Sequence, residues 1–136
     1  MRRLALDIGN KRIGVAVSDI TGLYAFPLTT IYRKNISNDI EKLYQLIIEQ
    51  EANELIIGLP LLLSGEEGAQ VRLVKSFVNL LNKKIDIPIY YIDERYSTVQ
   101  AEDKLMNAGI RPSKNQKKID SAAAAIILQS YLDKIK

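Results

Sequence analysis

The chain has 136 residues, 47% of them hydrophobic and 26% charged, with a formal net charge of +3 and neither cysteine nor histidine. That length fits one domain able to bury a core, and the hydrophobic content argues against disorder. The two missing residue types exclude Ser-His-Asp and Cys-His catalysis, zinc centres built from Cys or His, and the imidazole that usually serves as base near neutral pH.

The first residues, Met1 to Asp7, carry an apolar run too short for a signal peptide, and an acidic residue ends it. No segment reaches the ~20 apolar residues needed to cross a bilayer. A cytoplasmic, membrane-free protein is the expectation. Residues 3–8 read as a buried strand and Gly9-Asn10-Lys11 as a turn. Residues 12–18 read as a second strand, antiparallel to the first because the connection is so short. Thr21-Gly22 reads as another turn and residues 24–32 as a third strand, in which Pro27 predicts an edge or an irregularity.

The period then changes. Ile40, Leu43, Tyr44, Ile47 and Ile48 follow helical spacing, and Asn38 with Glu41 predicts the helix start. Residues 54–59 predict a fourth strand. Ser64-Gly65-Glu66-Glu67 has the form of a capping box, opening a helix with Val71, Val74, Phe77, Val78 and Leu81 on one face. Residues 87–92 predict a fifth strand. Ser97-Thr98-Val99-Gln100 has the form of a second capping box, for a helix ending near Gly109. Residues 110–118 read as a polar, basic loop, and the last helix is expected from about Asp120 to Leu132, with Ala122 to Ala125 allowing close packing. A strand meander followed by strand–helix alternation predicts an α/β fold: a mixed five-stranded sheet, its first three strands antiparallel, flanked by helices.

Three acidic positions stand out. Asp7 lies within an apolar strand, where a charge needs a partner, a metal or a function. Asp93-Glu94 ends the fifth strand, where open α/β sheets place ligands. Asp120 begins the alanine-rich helix. Structural readings stand beside these: Asp7 as a turn residue before Gly9, Glu94 as a partner of Arg95, and Asp120 as an N-cap. If strands one and five lie close and the last helix packs across them, the three carboxylates converge and repel one another unless cations intervene. Mg²⁺ suits oxygen ligands and phosphate substrates, and two ions roughly 4 Å apart activate a water and stabilise the leaving oxygen without histidine. Gly9 and Gly14 would let a nucleic-acid strand approach, and the helix opened by Ser64-Gly65 would offer its N-terminus to a phosphate. Basic residues cluster at Arg2-Arg3, Lys11-Arg12, Arg33-Lys34, Lys83-Lys84 and at Arg111 with Lys114, Lys117 and Lys118; any one pair reads first as a solvated face.

Four blocks carry a resemblance: Asp7-Ile8-Gly9-Asn10-Lys11-Arg12-Ile13-Gly14 continuing to Asp19; Gly58-Leu59-Pro60 with Ser64-Gly65; Asp93-Glu94-Arg95 with Ser97-Thr98; and Lys118-Ile119-Asp120-Ser121-Ala122-Ala123-Ala124. In this order, across nearly the whole chain, they resemble the YqgF family, also called RuvX. The resemblance implies one ribonuclease H-like domain over residues 1–136, related to the RuvC Holliday junction resolvase. It implies a nuclease that processes the 5′ end of precursor 16S ribosomal RNA in ribosome biogenesis, with junction resolution as the alternative. It implies Asp7, Glu94 and Asp120 as catalytic residues and metal ligands, with Asp93 as an additional candidate, for two Mg²⁺ or Mn²⁺ ions. Lys11, Arg12 and Arg95 would contact phosphates, and a basic clamp of Lys114, Lys117 and Lys118 is a further expectation. The expected partners are precursor ribosomal RNA or branched DNA, and ribosomal precursor particles, for a monomer or weak homodimer. Two competing readings are an actin-like ATPase, for which the chain is one domain short, and a non-catalytic RNA-binding assembly module.

Overall fold

The computed structural model describes residues 1–62, 64–94, 107 and 116–135. In chain order the elements are β1 (Arg3–Ile8), β2 (Arg12–Ser18), β3 (Ala25–Tyr32), α1 (Ile36–Glu49), β4 (Glu54–Leu59), α2 (Ala69–Asn82), β5 (Ile89–Asp93) and α3 (Gln116–Lys134). The five strands form one sheet in the order β3-β2-β1-β4-β5. The β1–β2 and β2–β3 pairs are antiparallel, and the β1–β4 and β4–β5 pairs are parallel. The sheet is therefore mixed, with an antiparallel meander first, as the sequence predicts.

Alternation along the central strand divides the core into two layers. Leu4, Leu6 and Ile8 join Ile13, Val15, Leu55 and Ile57 in packing against Leu43 and Ile47 of α1 and Val74, Phe77, Val78 and Leu81 of α2. On the opposite face Ala5, Ala16, Ala25 and Ile56 meet Ala124, Ala125, Ile127, Leu128 and Leu132 of α3. Because β1 is buried on both faces, its sequence reads as an almost continuous apolar run interrupted by Asp7.

β3 is an edge strand, and the ladder shifts register between Val15 and Ala16, beside Pro27. Both features that Pro27 predicts are present, since proline cannot donate to a ladder. The turn before β3 closes on Asp19, whose carboxylate accepts from the Leu23 and Tyr24 amides and the Thr21 hydroxyl. Gly22 supplies the positive φ of 72° that the turn requires. Gln129 of α3, fully buried, accepts from the Ala25 amide and donates to the Leu23 carbonyl, fastening this turn to the helix.

Several predicted boundaries shift. The N-cap of α1 is Asn35, not Asn38: the Asn35 carboxamide accepts the Asn38 amide. Ile48 has helical spacing but lies exposed. Ser64 caps no helix. Its hydroxyl accepts the Glu66 amide within a turn closed by the Leu62–Glu66 and Gly65–Leu62 backbone bonds, and α2 begins five residues later at Ala69, behind Gly68. β5 begins at Ile89 rather than residue 87. α3 begins at Gln116, so the basic segment 110–118 is helical over its last three residues, and Asp120 lies one turn inside the helix rather than at its cap. The second predicted capping box and its helix fall outside the described residues. Among the described residues no helix is long and apolar enough to cross a membrane.

Candidate active site

Asp7 shares the α3 face of β1 with Ala5 and stands near the carboxyl end of the strand. Its antiparallel neighbour on β2 is Gly14. On the other side, Leu6 pairs with Ile57, which places Gly58 of β4 beside Asp7. Asp7 is thus flanked on both sides by residues without side chains, and each vacancy is filled by another element. A Cβ on Gly14 would overlap the carbonyl oxygen of Asp120. A Cβ on Gly58 would stand 2.5 Å from Glu94 Oε1 and 2.7 Å from Ile127 Cδ1. The space at Gly14 therefore admits the first turns of α3, not the nucleic-acid strand expected there. The space at Gly58 lets Glu94 lie over β4.

This explains how Asp7 and Glu94 meet although β4 separates β1 from β5. Ile92 packs against α3, so Glu94, two residues later, starts on the same face, whereas strand alternation points Asp93 to the other. The Glu94 and Asp7 side chains are hydrogen-bonded to each other. Burial pushes the Glu94 carboxyl up to about 8, with the charges of Asp7 and Asp93 adding to the rise. Burial also raises Asp7; the Glu94 hydrogen bond opposes the rise and the charge of Asp120 adds to it. The hydrogen bond raises Glu94 and lowers Asp7, so Glu94 is the acid of the pair that holds its proton more firmly.

Asp120 joins the same cavity, of about 300 Å³, lined by Asp7, Gly9, Asn10, Lys11, Arg12 and Asp120. Its carboxylate is held by Arg12, whose Nε donates to Oδ2 at 2.6 Å. Among the described residues no group of three or more acidic side chains converges in the manner of a formed metal centre. Asp7 and Glu94 are in contact, and Asp120 stands beside them turned to Arg12. Lys11 is exposed at the rim. Arg95 and Lys114 lie outside the described residues; Lys117 and Lys118 fall in the first turn of α3, with their side chains likewise outside what is described.

Sequence reasoning missed Arg33, which follows β3 and braces the β1–β2 turn from below. Its amide donates to the Lys11 carbonyl at 2.9 Å and its Nη1 to the Gly9 carbonyl at 2.8 Å. The adjacent basic pair Arg33-Lys34 suggested only a solvated face. An acid six residues on, at Asp39 inside an amphipathic helix, was the available sign of a buried partner.

The RuvX family model, described as Holliday junction resolvase, matches residues 1–134. A curated relative from Roseiflexus sp. (strain RS-1), named "Putative pre-16S rRNA nuclease", is 45% identical over 132 residues, covering 97% of this chain and 94% of its own. One of the same name from Synechococcus sp. (strain JA-2-3B'a(2-13)) is 47% identical over 131 residues, covering 96% and 76%. Among solved structures, T. thermophilus RuvC in complex with a Holliday junction substrate aligns with a TM-score of 0.67 at 16% identity, over 99% of this chain and 96% of that one. The Fowlpox virus resolvase in complex with Holliday junction DNA aligns with a TM-score of 0.62 at 13% identity, over 99% of both chains. At these identities the structural likeness establishes the fold, which is that of the ribonuclease H-like resolvases. The sequence match over nearly the whole length goes further: the chain belongs to the RuvX family.

Proposed function

We propose that this protein is a divalent-metal-dependent nuclease whose site is built on Asp7, Glu94 and Asp120, and whose substrate is the 5′ region of precursor 16S ribosomal RNA. The observation that carries the proposal is the contact between two largely buried carboxyls, Asp7 and Glu94, at the carboxyl end of the sheet, beside a cavity rimmed by Lys11 and Arg12. Here burial raises both acids, the charges of Asp7 and Asp93 raise Glu94 further and that of Asp120 raises Asp7, an arrangement that suits a cation.

The donor set fits Mg²⁺ or Mn²⁺: carboxylate oxygens only, with an open polar cavity in front for water and phosphate. Asp7 and Glu94 would hold the metal, and Asp120 would complete the set. When bound, such ions activate water and stabilise the oxygen leaving phosphorus. The protein's own contribution is to hold the acids in place, to keep Arg12 on Asp120, and to offer Lys11 and Arg12 to backbone phosphates. Asp93 acts through its charge on Glu94. Arg95, Lys114, Lys117 and Lys118 extend the basic surface in this reading.

The names of the curated relatives favour ribosomal RNA. The family description and the junction-bound RuvC structure favour a second reading, cleavage of branched DNA, which calls for paired sites in a dimer. The test is cleavage of a labelled precursor 16S fragment and of a four-way DNA junction, each with Mg²⁺ or Mn²⁺, by wild type and Asp7→Asn. Metal-dependent cutting of the RNA that the substitution abolishes supports the proposal, and junction cutting alone replaces its substrate. Absence of cutting by a folded protein that still binds RNA contradicts it in favour of a non-catalytic module.

A further inference from the structure

We infer that Arg33, on the far side of the sheet from the carboxylates, is a positioning residue that sets the phosphate-contacting turn Gly9–Arg12. The inference rests on the nuclease reading for the ligand, nucleic-acid backbone, and on the structure for everything else.

The turn lining the cavity is short and carries both rim cations, Lys11 and Arg12. Its internal restraint is one bond, from the Gly9 amide to the Arg12 carbonyl at 2.9 Å. Arg33 adds two more, from its amide to the Lys11 carbonyl and from Nη1 to the Gly9 carbonyl. Every residue from Gly9 to Arg12 except Asn10 is thereby tied by its carbonyl or amide.

Arg33 can do this because its side chain is itself fixed from two directions. Its Nε donates at 3.0 Å to Oδ2 of Asp39, which is 1% exposed. The other oxygen of Asp39 accepts the Lys34 amide at 3.1 Å. The guanidinium also lies over the Phe77 ring, 4.8 Å from its centroid. Asp39 belongs to α1 and Phe77 to α2, so the brace joins both helices of one layer to a turn that serves the other.

A planar guanidinium is required for the bridge. It donates to a carboxylate and a carbonyl at once while stacking on an aromatic ring, and an ammonium cannot reproduce that fork. A purely structural ion pair would have no reason to spend a donor on Gly9. Removing one partner of a buried pair leaves the other charge uncompensated and threatens the fold, so Arg33→Ala is a poor probe. Arg33→Lys keeps the charge opposite Asp39 and loses the fork. The Arg33→Met, Asp39→Asn double variant removes both charges together.

The experiment measures binding of a short labelled single-stranded RNA, without divalent metal, as a function of salt. It uses wild type, Arg33→Lys, the charge-free double variant and a Lys11→Ala, Arg12→Ala variant, all well below their melting temperatures. Each phosphate contact contributes ~0.7 to the salt slope on single strands. Arg33→Lys is expected to bind about 10-fold more weakly at moderate salt, with the slope flattened by about 1 log unit. Adding it to the Lys11→Ala, Arg12→Ala variant is expected to change binding little further, because both act through the same turn. The charge-free double variant should behave as Arg33→Lys does. A lower melting temperature with unchanged affinity and slope in both Arg33 variants would overturn the inference and leave Arg33 a purely structural residue. Absence of RNA binding by wild type would instead overturn the nuclease reading on which the inference rests.

Discussion

Leu4, Leu6 and Ile8 leave β1 towards α1 and α2, whereas Ala5 and Asp7 leave the same strand towards α3. The first layer is made mainly of large aliphatic side chains with the Phe77 and Tyr44 rings, and its buried charge, Asp39, is matched by Arg33. The second is made of Ala5, Gly14, Ala16, Ala25 and Gly58, small enough for a helix to lie on the strands, and two of its acids, Asp7 and Glu94, are hydrogen-bonded to each other. One layer stores stability. The other gives some up to bring acids together. The same sheet can do both because alternation separates the two sets of residues in space while leaving them adjacent in sequence.

The sharpest way to break the comparison is to damage the two faces separately. Leu6→Ala removes a fully buried side chain from the α1/α2 layer and should cost about 2–5 kcal/mol. Cleavage per folded molecule should stay near the wild-type value. Urea unfolding alongside single-turnover cleavage checks both halves, and a large activity loss in folded protein would mean that the faces are not separable. Gly14→Ala acts on the other layer. Its Cβ meets backbone, not a flexible side-chain end, so α3 must shift, at a cost of about 3 kcal/mol, and Asp120 shifts with it. Stability and cleavage should therefore fall together.

The acid pair gives a prediction of intermediate size. Glu94 titrates higher in the folded chain, at about 8, than its ordinary value of 4.5, so its contribution to stability is fully present below that ordinary value and is lost as pH rises through about 8. Metal-free protein should lose on the order of 2–3 kcal/mol between pH 5 and 9, since water reaching the pair screens part of the effect. Glu94→Gln should flatten the slope. A flat wild-type profile would show that the fold does not raise Glu94. The smallest effect is expected at Asp19, where hydrogen bonds from the Thr21 hydroxyl and the Tyr24, Leu23 and Gly22 amides hold the carboxyl below its usual range against the opposing effect of burial. Asp19→Asn should cost about 0.5–1 kcal/mol in thermal melts near neutral pH, and wild type should lose that increment as pH falls through the range where Asp19 protonates.

Much of this was legible in the chain. The strand order of the meander, the amphipathic faces of α1 and α2, and the oddity of Asp7 in an apolar run follow from period and composition. Helix starts were less legible, because several polar residues near each boundary compete to cap it. Asn35 and Asn38 are chemically equal candidates, and only the geometry shows which accepts from which. Ser64 has capping-box spacing yet closes a turn, because Gly65 takes a φ of 89° that no helix continues. Asp120 resembled an N-cap because a basic polar segment precedes it, but that segment already begins the helix. Gly58 was visible as the end of a strand. Its use, letting Glu94 reach across β4 to Asp7, depends on a sheet order that local sequence does not encode. Arg33 was hidden for the same reason: its three anchors come from a turn, a helix and an aromatic ring far apart in sequence.

The central claim is that Asp7 and Glu94 are held together for a cation at the expense of the metal-free fold. Thermal melting at pH 8 with and without Mn²⁺ tests it most directly, comparing wild type, Asp7→Asn and Lys11→Ala. Metal-free Asp7→Asn should melt above metal-free wild type, because the repulsion is gone. Mn²⁺ at about 100 times its dissociation constant should stabilise wild type and Lys11→Ala by about 2.7 kcal/mol and leave Asp7→Asn unmoved. Equal stabilisation of Asp7→Asn by Mn²⁺, or a metal-free Asp7→Asn that melts lower than wild type, would contradict the account.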